Sequence, residues 1–139
     1  MGSQLIMSGV LIDTHILIWD QLDPNQLTSK AKKAIAQADA DNQIHISEIS
    51  LWEIAILLQK KRLQTKLLYL DFIQKILRTH QFILQGINPD IAYLASTIEL
   101  ETKDPTDRLI AATSIHLGIP LITSDKLIIN AKDVNTIWK

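Results

Sequence analysis

Cysteine is absent from the 139 residues. Disulfides and thiolate zinc sites are thereby excluded, and a reducing, cytoplasmic setting fits. Long hydrophobic runs are missing too. The longest apolar stretches, such as Ile54 to Leu58, are far too short to span a bilayer, so no membrane association is expected. No basic-then-apolar signal segment opens the chain. Met1-Gly2-Ser3 resembles a tag scar and Met7 a native start, so residues 1–6 stay outside the functional reading. Nor is there an excess of positive charge: 14 Lys and Arg stand against 15 Asp and Glu, a net charge of −1. A strong nonspecific binder of nucleic acid is usually basic overall. If this chain handles nucleic acid, its grip comes from a local patch, a metal ion, or both. Internal repeats, linkers and low-complexity segments are lacking as well. A single domain over residues 1–139 is the expectation.

What is present suits a packed globular chain. Hydrophobic residues make up 47% and charged residues 21%, and a domain of this size hides roughly two thirds of its unfolded surface. Val10 to Ile12 is a short apolar run that reads as a buried strand, ended by Asp13. Thr28 or Ser29 caps a helix rich in Ala and Lys that breaks at Asp41-Asn42. Gln43 to Ser47 reads as a second strand. Ser50 and Glu53 fit a capping box that opens a helix to about Lys61. Leu67 to Thr79 has apolar residues at helical spacing, and Phe82 to Leu84 is a third strand. Asn88-Pro89 and Asp104-Pro105 each start a helix, the latter ended by Gly118. Pro120 to Thr123 is a fourth strand, and Thr136 to Trp138 a last, edge strand. Strands alternating with helices predict an α/β fold, a three-layer α/β/α sandwich with a mostly parallel central sheet.

Parallel sheets place their sites at the carboxyl ends of strands. The polar residues falling there are mostly acidic: Asp13 after the first strand, Glu53 after the second, Asp107 in the first turn behind Asp104-Pro105, and Asp125 after the fourth strand. Four converging carboxylates repel one another, and a divalent cation resolves the conflict. Oxygen ligands without thiolate suit Mg²⁺ or Mn²⁺. Such an ion activates water and stabilises charge building on a phosphate oxygen. Asp13 and Asp107 are the best candidates for direct ligands; Asp125 and Glu53 bind the metal directly or through water. Asp104 is a second-shell or helix-capping residue. Thr14, Ser47, Ser50 and Thr123 are candidates to orient water or phosphate. Each acid also has a structural alternative. Glu53 three residues after Ser50, and Asp107 three after Asp104, fit capping boxes, and acids suit helix N-termini.

The four histidines are scattered. His15 is the best placed, because it would share the face of Asp13 if the first strand continued. The run Lys60-Lys61-Arg62 with Lys66 reads first as a solvated helix end, with a phosphate patch as the alternative.

In four stretches the chain resembles the PIN-domain family, specifically its VapC-like toxins. Leu11-Ile12-Asp13-Thr14-His15 resembles the opening motif. Ser47-Glu48-Ile49-Ser50-Leu51-Trp52-Glu53 resembles the second, Asp104-Pro105-Thr106-Asp107-Arg108 the third, and Leu121-Ile122-Thr123-Ser124-Asp125 the fourth. The motifs stand in order and span nearly the whole chain. The resemblance implies Mg²⁺- or Mn²⁺-dependent cleavage of RNA, a VapB-like antitoxin as partner, and commonly a homodimer. Many PIN domains share these acids yet differ in substrate, and some cleave DNA. The rivals are a receiver or HAD-type phosphoryl-transfer domain and a non-catalytic PIN-like binding module. A HAD nucleophile motif wants Asp two residues after Asp13, where His15 stands. A receiver wants an acidic pair at the first strand, which is missing although Lys126 follows Asp125.

Overall fold

The computed structural model describes residues 9–63 and 65–139; residues 1–6, set aside above, lie outside the described residues. Five short strands, β1 (Val10–Ile12), β2 (Ile44–Ser47), β3 (Phe82–Gln85), β4 (Leu121–Ile122) and β5 (Thr136–Ile137), form one sheet. Every pairing is parallel, and the order is β3-β2-β1-β4-β5. Seven helices connect the strands: α1 (Thr14–Leu22), α2 (Ser29–Ala40), α3 (Glu48–Gln59), α4 (Tyr69–Thr79), α5 (Pro89–Thr97), α6 (Pro105–Leu117) and α7 (Lys126–Ile129).

Alternation along the strands sorts the core into two layers. Val10, Ile12, Ile44, Ile46 and Ile122 face one side and pack with residues of α1, α2, α3 and α4. Leu11 and Leu121 face the other, with Ile98, Ile110 and Ile128 over them. The chain builds outward from β1 to β3, then returns past β1 to add β4 and β5. Crossovers of one hand on opposite sides of β1 put their helices on opposite faces. This is the expected three-layer α/β/α sandwich, with the sheet parallel throughout.

The structure adds two helices that the sequence pattern hid. In α1, Ile16, Leu17 and Ile18 are all buried, and three consecutive buried residues erase the apolar stripe that marks a helix. In α7 there are only four residues, too few to show a period. The start of α3 is a correction. Its N-cap is Ser47, whose Oγ accepts from the Ile49 N–H at 3.2 Å, so the helix begins one turn before Ser50. Strand β2 runs straight into α3 without a loop. Ser50 is thus interior to the helix, and the capping box with Glu53 does not form.

Two glycines hold positive φ for different reasons. Gly9 precedes β1 at φ +98°, and a Cβ there would lie 2.0 Å from the Gln43 carbonyl oxygen. Gly118 ends α6 in the left-handed region at φ +69°, with open space around it.

Candidate active site

Strand order reverses between β1 and β4, and that crevice is where open parallel sheets bind ligands. Asp13 follows β1 and Asp125 follows β4 on either side of it. Each caps the next helix. Asp13 Oδ1 accepts from the Ile16 N–H at 2.9 Å, and Asp125 Oδ1 from the Leu127 N–H at 2.9 Å. Asp104 does the same for α6, accepting from the Thr106 N–H at 2.9 Å through Oδ1. The three caps fix the carboxylates and leave each Oδ2 outside the cap bond. They also bring three helix N-termini, the positive ends of their dipoles, to an acidic place.

Asp107 stands in the first turn of α6. Its capping-box alternative fails, because the Asp104 N–H donates to Thr102 Oγ1 at 3.3 Å instead. Burial pushes the Asp107 carboxyl up to about 7, helped by the negative charges of Asp104, Asp125, Glu53 and Asp13 in that order. One carboxyl therefore feels all four other acids, which is possible only if the five lie together. The tightest group is Glu53, Asp104 and Asp107, each offering an oxygen within 4.8 Å of the others. Glu53 reaches it from the second turn of α3. Asp13 is also held above the ordinary carboxylate range, chiefly by burial, while bonds from the Thr123 hydroxyl and the Ile16 N–H oppose the rise.

Hydroxyls tie the acids' supports together. The buried Thr123 side chain donates to Asp13, and its Oγ1 accepts from the Asp125 N–H at 3.1 Å, so one hydroxyl spans the switch between β1 and β4. Thr14 Oγ1 donates to Ser50 Oγ at 2.9 Å, both buried, which pins the start of α1 to the helix carrying Glu53. Ser47 is spent on the α3 cap.

Among the described residues no Lys or Arg forms an ion pair with these acids. The ion pairs among the described residues both belong to His80, with Asp20 at 3.1 Å and Asp39 at 2.8 Å. Arg108, next to Asp107, is turned to main-chain carbonyls. Its guanidinium donates to Ala95 O at 2.8 Å, Ile98 O at 2.6 Å, Leu100 O at 3.1 Å and Thr102 O at 3.0 Å. It thereby holds the loop that leads into Asp104. Sequence reading passed over Arg108; its only signal was a cation directly after the central acid.

Of the histidines, His15 acts on the site, its charge opposing the rise of Asp13. The strand-period premise for His15 is corrected, because β1 ends at Ile12 and α1 begins at Thr14. His15 is exposed, its ring 6.1 Å from that of Trp19. His45 is buried in β2 between Gln43 and Gln85. His116 reaches Asn88 at 3.4 Å.

Comparison with known proteins agrees with this geometry. The family model described as PIN domain matches residues 10–134. The chain is 33% identical over 123 residues to Ribonuclease VapC22 of Mycobacterium tuberculosis, covering 86% of this chain and 89% of that protein. Among solved structures it is similar to a toxin–antitoxin complex from Klebsiella pneumoniae, at 25% identity and TM-score 0.63, covering 91% of this chain and 95% of that one. It also shares its fold with VapBC2 from Rickettsia felis bound to a promoter DNA fragment, at 13% identity and TM-score 0.67, covering 93% and 97%. No helix among the described residues is long and apolar enough to cross a membrane. With the parallel sheet, the acids at its switch point and these matches together, the chain belongs to the PIN-domain family and to its VapC-like toxins.

Proposed function

We propose that this protein is a divalent-cation-dependent endoribonuclease, the toxin of a toxin–antitoxin pair, that hydrolyses RNA phosphodiester bonds. The observation that carries the reading is the Asp107 carboxyl, raised to about 7 by burial and by four neighbouring acids, with no Lys or Arg paired to any of them among the described residues. Such a cluster stores repulsion that a divalent cation relieves. The donors are all oxygen, which suits Mg²⁺ or Mn²⁺. Glu53, Asp104 and Asp107 would hold the ion, with Asp13 and Asp125 completing the cluster's charge. A bound cation supplies Lewis acidity toward a phosphoryl oxygen and makes water a stronger nucleophile at neutral pH.

The chain's own groups do the rest. Thr123 holds the Asp13 carboxylate by donating to it. The N–H groups capped by Asp13, Asp104 and Asp125 fix three side chains before any ligand arrives, which saves ordering cost at the chemical step. Burial and the neighbouring charges favour the protonated Asp107 carboxyl, so cation loading is expected to release a proton. Partners follow from the relatives. The solved complexes named above pair their toxins with antitoxins, and a VapB-like antitoxin and a homodimer are proposed here.

The test is cleavage of a mixed RNA pool by the purified protein, with mapping of the cut ends. Cutting is expected with Mg²⁺ or Mn²⁺ and none with EDTA. Robust cutting in EDTA that disappears in Asp13→Ala protein would sink the metal mechanism.

A further inference from the structure

Trp52 directly precedes Glu53 on α3 and leaves 58% of its surface in water. One exposed aromatic is ordinary by itself; its surroundings are what matter. It lines a cavity of about 280 Å³ together with Glu53, Asp104, Thr106, Lys60 and Arg62, over apolar Ile56, Leu57 and Pro105. Two walls of this cavity are therefore acids of the tight carboxylate group. Lys60 and Arg62 line it too, both exposed and in no ion pair among the described residues. Lys60 lies seven residues after Glu53, two helical turns on the same side, about 10 Å along the axis.

The lining thus brings together two acids, an indole and two cations. A simple anion has no use for the indole, and an aliphatic side chain has none for two cations. A strand with flat bases and a phosphate at every step matches all three.

We propose that this cavity holds the nucleotides beside the scissile phosphate of a single-stranded RNA segment. One base stacks on Trp52, and Lys60 and Arg62 contact backbone phosphates. The proposal rests on the nuclease reading for its location. The stacking contact needs an unpaired base, because a base inside a duplex offers no free face to an indole.

The experiment is fluorescence anisotropy of the full-length protein with a fluorescein-labelled single-stranded RNA of mixed sequence, and with the same strand in a duplex. EDTA is present so that nothing is cut. Trp52→Ala is expected to weaken single-strand binding roughly tenfold, and Trp52→Phe to recover most of it. The duplex is expected to bind more weakly and to ignore Trp52. Replacing Lys60 and Arg62 together by Gln should make log K against log salt shallower by about 1.4, from about 0.7 per lost phosphate contact, a slope that Trp52→Ala leaves alone. Thermal melts matching wild type confirm that the variants fold. Unchanged affinity in Trp52→Ala, an unchanged salt slope, or a duplex bound as tightly as the strand each overturns the proposal. So does loss of a protein partner in Trp52→Ala with RNA binding intact. Binding of the expected pattern without cutting in Mg²⁺ or Mn²⁺ refutes the nuclease reading and leaves the subsite. Cutting with identical RNA binding by all variants refutes the subsite and leaves the nuclease.

Discussion

Asp107→Asn is the sharpest test of the acidic centre, because it keeps the side chain's shape and removes one charge. The carboxyl moves from an ordinary 3.8 to about 7 on folding, which at full strength is about 4 kcal/mol of ionisation free energy. The group is partly solvated, and screening reduces this to roughly 1–2 kcal/mol. Losing a negative charge near the α6 N-terminus returns about 0.5 kcal/mol. The net expectation, without metal at pH 8, is a variant more stable by ~1 kcal/mol, or about 3 °C in melting temperature. The sign with pH follows from a raised folded-state value. The stability it gives is full below 3.8 and is lost as pH rises through about 7. Wild type should therefore lose stability between pH 5 and pH 8 in EDTA. The variant should lose less, with the remainder coming from Asp13, whose carboxyl is also raised. Mg²⁺ should stabilise wild type at pH 8, by about 2.7 kcal/mol at a hundredfold excess over its dissociation constant, and the variant by less. Thermal melts at pH 5 and pH 8, in EDTA and in Mg²⁺, read all of this. A variant less stable than wild type at pH 8 in EDTA, with an equal gain from Mg²⁺, would show that Asp107 only serves the helix dipole and would remove the basis for a cation site.

Thr123→Val keeps the volume and deletes the hydroxyl that donates to Asp13. It should weaken Mg²⁺ binding about 10- to 100-fold, as losses of groups that orient metal ligands do, and calorimetric titration with Mg²⁺ checks it; unchanged affinity would remove Thr123 from the site's support. Gly9→Ala and Gly118→Ala separate two reasons for glycine. At Gly118 only the positive φ is penalised, for about 1–2 kcal/mol, whereas at Gly9 the added Cβ also meets the Gln43 carbonyl at 2.0 Å. Gly9→Ala should therefore cost more, roughly 3 kcal/mol or above, in urea unfolding, and equal costs would deny the clash.

Sequence alone determined the layers, several helix ends and the acids that follow the strands. Buried strands read as short apolar runs, because a parallel sheet covered on both faces needs no polar alternation. Asn88-Pro89, Asp104-Pro105 and Gly118 declared helix ends, because those residues satisfy or bend the backbone locally. Asp13, Glu53, Asp107 and Asp125 stood out as acids after strands, and that placement needs only a chain direction. The remainder required tertiary structure. Which serine starts α3 was ambiguous, since Ser47 and Ser50 both suit a cap, and only the direct passage from β2 into the helix decides for Ser47. Helix α1 was invisible because burial on several sides leaves no stripe to read. Asp104 read as a cap, and it is one, but its place beside Glu53 and Asp107 depends on α3 meeting α6 across residues far apart in the chain. The rise of Asp107 to about 7 is likewise written in no motif. It comes from burial and from four charges that four different chain segments bring to the carboxyl end of one sheet.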